Sequence, residues 1–251
     1  MAKIKGFVFY RGPSMIDGKP IVAIATKLHA PSANVKTGHM VQTFILRDDL
    51  APLEALKTGD DASVCGDCKH RPINAKARKA ATGEAGSMCY VNVGQAPRAV
   101  WECLHNGSGY PELDPYDAAV HLMGKLVRCG SYGDPAAVPF EVWAQMLRLA
   151  DGHTGYTHQW LTCDQRFRSI CMASADTPEE RAMAKATGWR VFRVRREDEA
   201  LGEREVMCPA SKEAGVKANC AACKACGGLN AKARADIAII DHGPTNRKRA
   251  A

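Results

Sequence analysis

Cysteines carry the clearest chemical pattern in this sequence. There are eleven of them, and the pair Cys65-x2-Cys68 is followed, after a further twenty residues, by Cys89. A C-x2-C turn brings two sulfurs within reach of one metal ion, and Cys89 is the natural third ligand. With His70 as the fourth ligand, the group would form a closed zinc site. Three thiolates alone would leave one coordination position open.

A second cysteine group lies near the carboxyl terminus and has the spacing Cys208-x11-Cys220-x2-Cys223-x2-Cys226. Two consecutive x2 spacings are more typical of iron–sulfur ferredoxin runs than of zinc ribbons, which use separate C-x2-C pairs. Four thiolates complete either a [4Fe–4S] cluster or a structural zinc site. We therefore expect metal at both groups, with iron–sulfur as the favoured chemistry and zinc as the alternative.

The elements that must position these groups change in character along the chain. Strands expected near residues 6–11, 21–28 and 40–46 make the first part β-rich. From residue 126 onward strands alternate with helices, and the strands are expected at 126–129, 153–158, 169–173, 189–194 and 236–240. This alternation requires parallel strands with helical crossovers. It predicts an α/β fold whose parallel sheet forms a partial (β/α) barrel, with an N-terminal β-rich segment and cysteine-rich loops.

Polar side chains follow several of these strands, at the carboxyl edge where parallel α/β proteins place their active sites. The candidate catalytic residues at this edge are Asp134, Tyr156, His158 and Asp176. The candidate cofactor-binding residues are Ser131, Tyr132 and Arg193. A competing interpretation is that Asp134 and Asp176 are turn and helix-cap residues, because both precede or lie close to a proline.

Length and composition favour one globular domain. The chain has 251 residues, of which 46% are hydrophobic and 24% charged. We expect a single α/β domain over residues 1–243, with cysteine clusters at 65–89 and 208–226, and a basic tail at 244–251. A net charge of +7 suits an anionic small molecule or nucleic acid as partner. No Walker loop, G-x-G-x-x-G or H-E-x-x-H motif occurs, so nucleotide hydrolysis is disfavoured.

The expected compartment is the cytoplasm, without association with a membrane. The first residues contain no apolar segment of the kind that directs secretion. The longest apolar runs, 21–25 and 237–240, are far shorter than the roughly 20 residues that cross a bilayer. In a reducing cytoplasm, clustered cysteines are metal ligands or catalysts more often than disulfides.

The order of the motifs resembles that of phage "gene product 88"-type proteins. The resemblance is carried by Lys36-Thr37-Gly38, Cys65-x2-Cys68, Cys89-Tyr90, Gly130-Ser131-Tyr132-Gly133-Asp134-Pro135, Gly155-Tyr156-Thr157-His158 and the C-terminal cysteines. It spans about residues 36–226. It implies a phage or mobile-element protein, in the host cytoplasm, and supplies no reaction.

A second resemblance concerns chemistry. Radical S-adenosylmethionine enzymes bind a [4Fe–4S] cluster through three cysteines at the mouth of a partial (β/α) barrel, usually in a C-x3-C-x2-C motif. The spacing Cys65-x2-Cys68-x20-Cys89 resembles instead the atypical motif of the carbon–phosphorus lyase subunit in that superfamily. The resemblance implies S-adenosylmethionine as cofactor, an electron donor as partner and an auxiliary cluster at the C-terminal cysteines.

The leading functional hypothesis is therefore a phage or mobile-element iron–sulfur protein, a radical-S-adenosylmethionine-like enzyme whose substrate is unknown, with nucleic-acid-linked molecules among the candidates. The alternative is a non-catalytic zinc protein that contacts nucleic acid or a protein partner. A third hypothesis is a zinc hydrolase that uses His70 or His158 together with Asp134.

Overall fold

A computed structural model of the chain describes residues 4–32, 34–82, 89–107 and 109–241. The expected basic tail, residues 244–251, lies outside the described residues. The strands of the described part are β1 (Gly6–Pro13), β2 (Pro20–Thr26), β3 (Val41–Arg47), β4 (Leu126–Tyr132), β5 (Gly152–Thr157), β6 (Met172–Ala175), β7 (Val191–Arg195), β8 (Glu205–Met207) and β9 (Asp236–Ile240). Its α-helices are α1 (Pro52–Thr58), α2 (Ala62–Cys65), α3 (Pro72–Thr82), α4 (Ala96–His105), α5 (Pro115–His121), α6 (Phe140–Leu147), α7 (Pro178–Ala186) and α8 (Cys220–Cys223).

Within these residues the strands form one sheet in the order β1-β2-β3-β4-β5-β6-β7-β9-β8. The pairs β1–β2 and β2–β3 are antiparallel, whereas every pair from β3–β4 onward is parallel. The sequence prediction of a mixed α/β fold with a β-rich start and a parallel remainder is thus confirmed. The edge strands β1 and β8 are not paired with each other in the described part of the chain, so the sheet is open.

The two faces of the parallel strands are covered by different parts of the chain. Val127, Ala173 and Val191 lie in a large apolar core that also contains Trp143 of α6 and Ala184 of α7. These residues share one face of the sheet, because alternate residues of a strand point to opposite faces.

The opposite face is covered by the C-terminal cysteine segment. Met172 and Ile237 lie there in a smaller apolar cluster with Cys226, and Tyr156 and Phe192 pack against it. The sheet therefore separates a helical layer from a cysteine-bearing layer.

The turn after β4 fits closely against β3 and depends on glycine. Gly133 has a φ of +82°, and a Cβ built there would lie 2.7 Å from both the Cβ and the carbonyl oxygen of Ile45. An alanine would combine a left-handed backbone, costing about 1–2 kcal/mol, with an overpacked contact costing about 1–3 kcal/mol.

We therefore expect Gly133→Ala to lower the free energy of unfolding by about 2–5 kcal/mol in urea titrations. Gly18→Ala is the matched control, because Gly18 has a φ of +75° and open space around its Cβ position. Gly18→Ala should cost only the free energy of the left-handed backbone, about 1–2 kcal/mol. Equal effects of the two substitutions would contradict this explanation.

Candidate functional site at the carboxyl edge of the sheet

The first cysteine group is built by the loop that follows β3. Cys65 ends the short helix α2, and Gly66, with a φ of +56°, turns the chain toward Cys68. A Cβ on Gly66 would lie only 2.3 Å from the amide of Gln159, so this turn packs directly against the end of β5. Cys89 joins the group because its N–H donates to the carbonyl of His70, at 2.8 Å.

The three cysteines are half-buried, and their thiols are close enough to influence one another's ionisation. Burial raises the pKa of Cys65 well above its usual value, and the charges of Cys68 and Cys89 raise it further. Burial raises the pKa of Cys68 to about 12, although the N–H of His70 opposes the shift. Burial also raises the pKa of Cys89. The metal-free thiols are therefore protonated at neutral pH, and a bound metal would have to displace their protons.

The spacing of these sulfurs bears on which metal would fit. The three do not all lie within 4.8 Å of one another. In a tetrahedral zinc site, Zn–S bonds of 2.3 Å place sulfurs about 3.8 Å apart. The side chain of His70 also points elsewhere, since its Nε2 meets Asp176. The described geometry thus does not form the compact Cys3His zinc site that was one expectation from the sequence.

Side chains at the carboxyl ends of parallel strands lie next to the first cysteine group. Negative charges on Asp134 and Asp176 both act on Cys68. Tyr132, at the end of β4, is buried, and its pKa is raised well above the usual value by that burial and then by the charges of Cys65 and other nearby acids. The ends of β4 and β6 therefore face the first cysteine group.

Asp134 connects the ends of two strands. Its carboxylate accepts hydrogen bonds from the N–H of Ala136, at 3.0 Å, and of His158, at 2.7 Å. Burial raises its pKa to about 6, against the hydrogen bonds from Ala136, from the Thr157 hydroxyl and from the backbone of β5's end. Asp134 also caps the 3-10 helix Pro135–Ala137. Its carboxylate therefore fixes the backbone that follows β4 to the backbone that follows β5.

Asp176, unlike Asp134, does not cap the helix that follows it. The residue that caps α7 is Thr177, whose hydroxyl accepts from the N–H of Glu180. The carboxylate of Asp176 instead lies 3.0 Å from Nε2 of His70, a pair separated by 106 residues in sequence. Burial alone would raise the pKa of Asp176, but the hydrogen bond and charge of His70 lower it below its usual value.

His70, His158 and Asp176 form one compact group. One potential ligand atom from each lies within 4.8 Å of the other two, and the described residues contain no other such group of His, Cys, Asp or Glu. The imidazole rings are 5.7 Å apart and meet edge to face. Burial lowers the pKa of His158 to about 4, so this imidazole is neutral at physiological pH.

The second cysteine group lies on the cysteine-bearing face of the sheet. All four cysteines line one small cavity, together with Tyr156 and Ile237: Cys208, Cys220, Cys223 and Cys226. No three of the four sulfurs lie within 4.8 Å of one another. Burial raises the pKa of Cys226 to about 12, although a hydrogen bond with Tyr156 opposes the shift.

Backbone contacts and two basic residues hold this second group. The N–H of Cys220 donates to the carbonyl of Lys36, at 2.7 Å, and the N–H of Gly155 donates to the carbonyl of Cys226, at 3.0 Å. The charges of Arg128 and Lys36 oppose the burial-induced rise in the pKa of Cys220. None of the seven cysteines of the two groups, all in the described part of the chain, forms a disulfide.

Three of the sequence-derived site residues lie away from the first cysteine group. Tyr156 belongs to the second group, as described above. Ser131 donates to Oε1 of Gln42 at 2.8 Å. Arg193 is almost fully buried and makes two hydrogen bonds, of 2.9 and 2.8 Å, to Glu205, and a third, of 2.8 Å, to Glu199. Because these ion pairs occupy its guanidinium, we leave Arg193 out of the proposed site.

Comparison of this chain with family models, curated proteins and solved structures found no match. In the part of the chain that the structure describes, no helix combines the length and the apolar character needed to cross a membrane.

Proposed function

We propose that this protein is an iron–sulfur enzyme of the radical-S-adenosylmethionine-like kind. The observation that carries the proposal is the placement of three half-buried, mutually interacting thiols at the carboxyl edge of a parallel sheet, beside Asp134 and Asp176. In this proposal, Cys65, Cys68 and Cys89 hold the catalytic cluster.

The donor set supports a cluster over a single ion. Thiolate is the ligand type that iron–sulfur clusters use, and seven cysteines without disulfides, one buried and six half-buried, are available for two such groups. Sulfurs that do not all approach within 4.8 Å suit a centre made of several atoms better than one tetrahedral ion. When bound, a [4Fe–4S] cluster with three protein thiolates would supply an electron to S-adenosylmethionine at its remaining iron.

The protein's own residues would hold the cluster ligands and the strand ends in place. Gly66 and Gln159 fix the C-x2-C turn against the end of β5. Asp134 fixes the ends of β4 and β5 relative to each other through its hydrogen bonds. Tyr132 adds a buried hydroxyl beside Cys65. These contacts would keep the strand ends, where a cofactor and substrate would bind, in a fixed arrangement.

The second cysteine group would hold an auxiliary cluster on the cysteine-bearing face. Arg128 and Lys36 place positive charge near Cys220, which favours an anionic centre there. The hydrogen bond between Tyr156 and Cys226 would tune that centre, since hydrogen bonds to ligand sulfurs are a determinant of cluster potential. The substrate of the enzyme would be an anionic small molecule or nucleic acid. The protein would work in a reducing cytoplasm, which keeps its thiols reduced.

Metal analysis after anaerobic reconstitution tests the proposal. We expect a brown protein with about eight irons per chain, from two four-iron clusters. Cys89→Ala and Cys223→Ala should each remove about four irons, because each deletes one ligand of a different cluster. Cys163→Ala is the matched control and should retain all the iron, since Cys163 belongs to neither group.

Other outcomes would contradict the proposal in distinct ways. A colourless protein with about two zincs per chain would support the zinc alternative. Loss of all the iron from both Cys89→Ala and Cys223→Ala, with the fold intact, would show that the two groups do not form separate centres. Equal iron loss in the Cys163→Ala control would show that the iron is bound non-specifically.

A further inference from the structure

We propose that His70, His158 and Asp176 together bind one divalent metal ion, such as Mn²⁺ or Fe²⁺, in a site that adjoins the first cysteine group but has no cysteine ligand. The site uses nitrogen and carboxylate ligands, and it requires no iron–sulfur cluster. It therefore goes beyond the function proposed above, and it uses none of the cysteines that would hold the clusters.

The geometry is close to that of a bound ion. Metal–nitrogen and metal–oxygen bonds of about 2.0–2.2 Å place ligand atoms roughly 3–3.5 Å apart. Nε2 of His70 and Oδ1 of Asp176 are already 3.0 Å apart, and His158 offers a ligand atom within 4.8 Å of both.

Each of the three residues is held by a contact to its backbone, so the group is organised before any ion binds. The N–H of His158 donates to Asp134, at 2.7 Å, and the N–H of Asp176 donates to Oε2 of Glu180, at 2.8 Å. The carbonyl of His70 accepts from the N–H of Cys89, at 2.8 Å. Fixed backbones of this kind are what a preorganised metal site needs.

The surroundings also favour a cation with open coordination positions. Asp176 and His70 are largely buried, with side-chain exposures of 19% and 10%. Lys69 also lies near the group, and its ion pair with Glu180 offsets the positive charge that would oppose a bound cation. Two histidines and one carboxylate are the ligand set of non-haem Fe²⁺ sites, and they leave positions free for water or a substrate oxygen. The bound ion would thus act on an oxygen-bearing substrate at the carboxyl edge of the sheet.

The competing explanation is a hydrogen-bonded His–Asp pair with a second histidine packed beside it. Such a group would need no ion, and it would show no saturable metal binding. Titration with Mn²⁺ separates the two explanations, because thiolates are poor ligands for Mn²⁺ and the cysteine groups would not compete for it.

The experiment follows the electron paramagnetic resonance signal of free Mn²⁺ during titration of the full chain, up to about 1 mM metal. We expect saturation at one Mn²⁺ per chain. Asp176→Asn and His158→Ala should weaken binding by about 100-fold or more, because even residues that only orient a ligand contribute 10–100-fold. His105→Gln and Asp164→Asn are the controls, as both replace residues outside the group, and they should bind as the wild type does.

Far-UV circular dichroism of each variant shows whether the variant is folded, so that a loss of metal binding can be distinguished from unfolding. If His158→Ala unfolds, Asp176→Asn, which keeps the side-chain shape, decides the question. Absence of saturable binding in the wild type would overturn the proposal, and so would unchanged affinity in folded Asp176→Asn. Iron content, measured on the same samples, should not change with the loss of Mn²⁺ binding if the two sites are separate.

Discussion

Replacing Asp134 by alanine should lower the free energy of unfolding by about 3–5 kcal/mol, among the largest effects of any single substitution in this chain. The carboxylate accepts from the N–H groups of Ala136 and His158 and from the hydroxyl of Thr157. Each buried donor left without an acceptor costs about 1–3 kcal/mol. Since Asp134 is 6% exposed, water cannot readily take the place of the lost oxygens.

Asp164→Ala is the matched control for this prediction. Asp164 also caps a 3-10 helix and accepts from a backbone N–H, that of Arg166, but it lies at the surface. Its loss should cost only about 0.5–2 kcal/mol, the usual value of a helix cap. The measurement is urea unfolding followed by circular dichroism. Equal effects of the two substitutions would show that Asp134 does not hold the ends of β4 and β5 together.

Much of this fold could be predicted from local sequence pattern. The bounds of β9, Asp236–Ile240, agree with the prediction, because an apolar run there ends at a polar residue. The strand predicted over 169–173 in fact begins at Met172, since the 3-10 helix Gln165–Ser169 and its C-cap Ile170 occupy the start of the predicted range. Neither α5 nor the three-residue strand β8 was predicted. For α5 a signal was present, since Asp114 caps the helix directly before a proline.

The site was harder to predict because it depends on where each strand ends. Tyr156 and His158 would share a face of a continuing strand. However, β5 ends at Thr157 and the chain turns there, so Tyr156 joins the second cysteine group and His158 joins His70. The partner of Asp176 lies 106 residues away, and no local pattern reports such a pair. Sequence spacing therefore groups the cysteines and places two acids after strand ends, but it does not indicate which of these residues lie together.

The loop that carries the first cysteines depends on a buried ion pair that sequence alone did not single out. Arg71 donates to both carboxylate oxygens of Asp61, at 3.0 and 2.7 Å, and also to the carbonyls of Gly59 and Gly66. Both side chains are buried, at 9% and 2% exposure. This guanidinium therefore connects the residues on either side of α2, and it lies three residues after Cys68.

Asp61→Ala should accordingly destabilise the protein by about 3–5 kcal/mol, because it leaves the charge of Arg71 buried without a partner. The double variant Asp61→Ala/Arg71→Met should recover most of that loss, since removing both charges removes the unpaired one. Asp60→Ala is the control: Asp60 is the neighbouring carboxylate, 46% exposed and 3.6 Å from Arg47, and its loss should cost about 0–1 kcal/mol. Urea unfolding measures all three variants. A double variant no more stable than Asp61→Ala would show that the carbonyl contacts of Arg71, and not its pairing with Asp61, hold the cysteine loop in place.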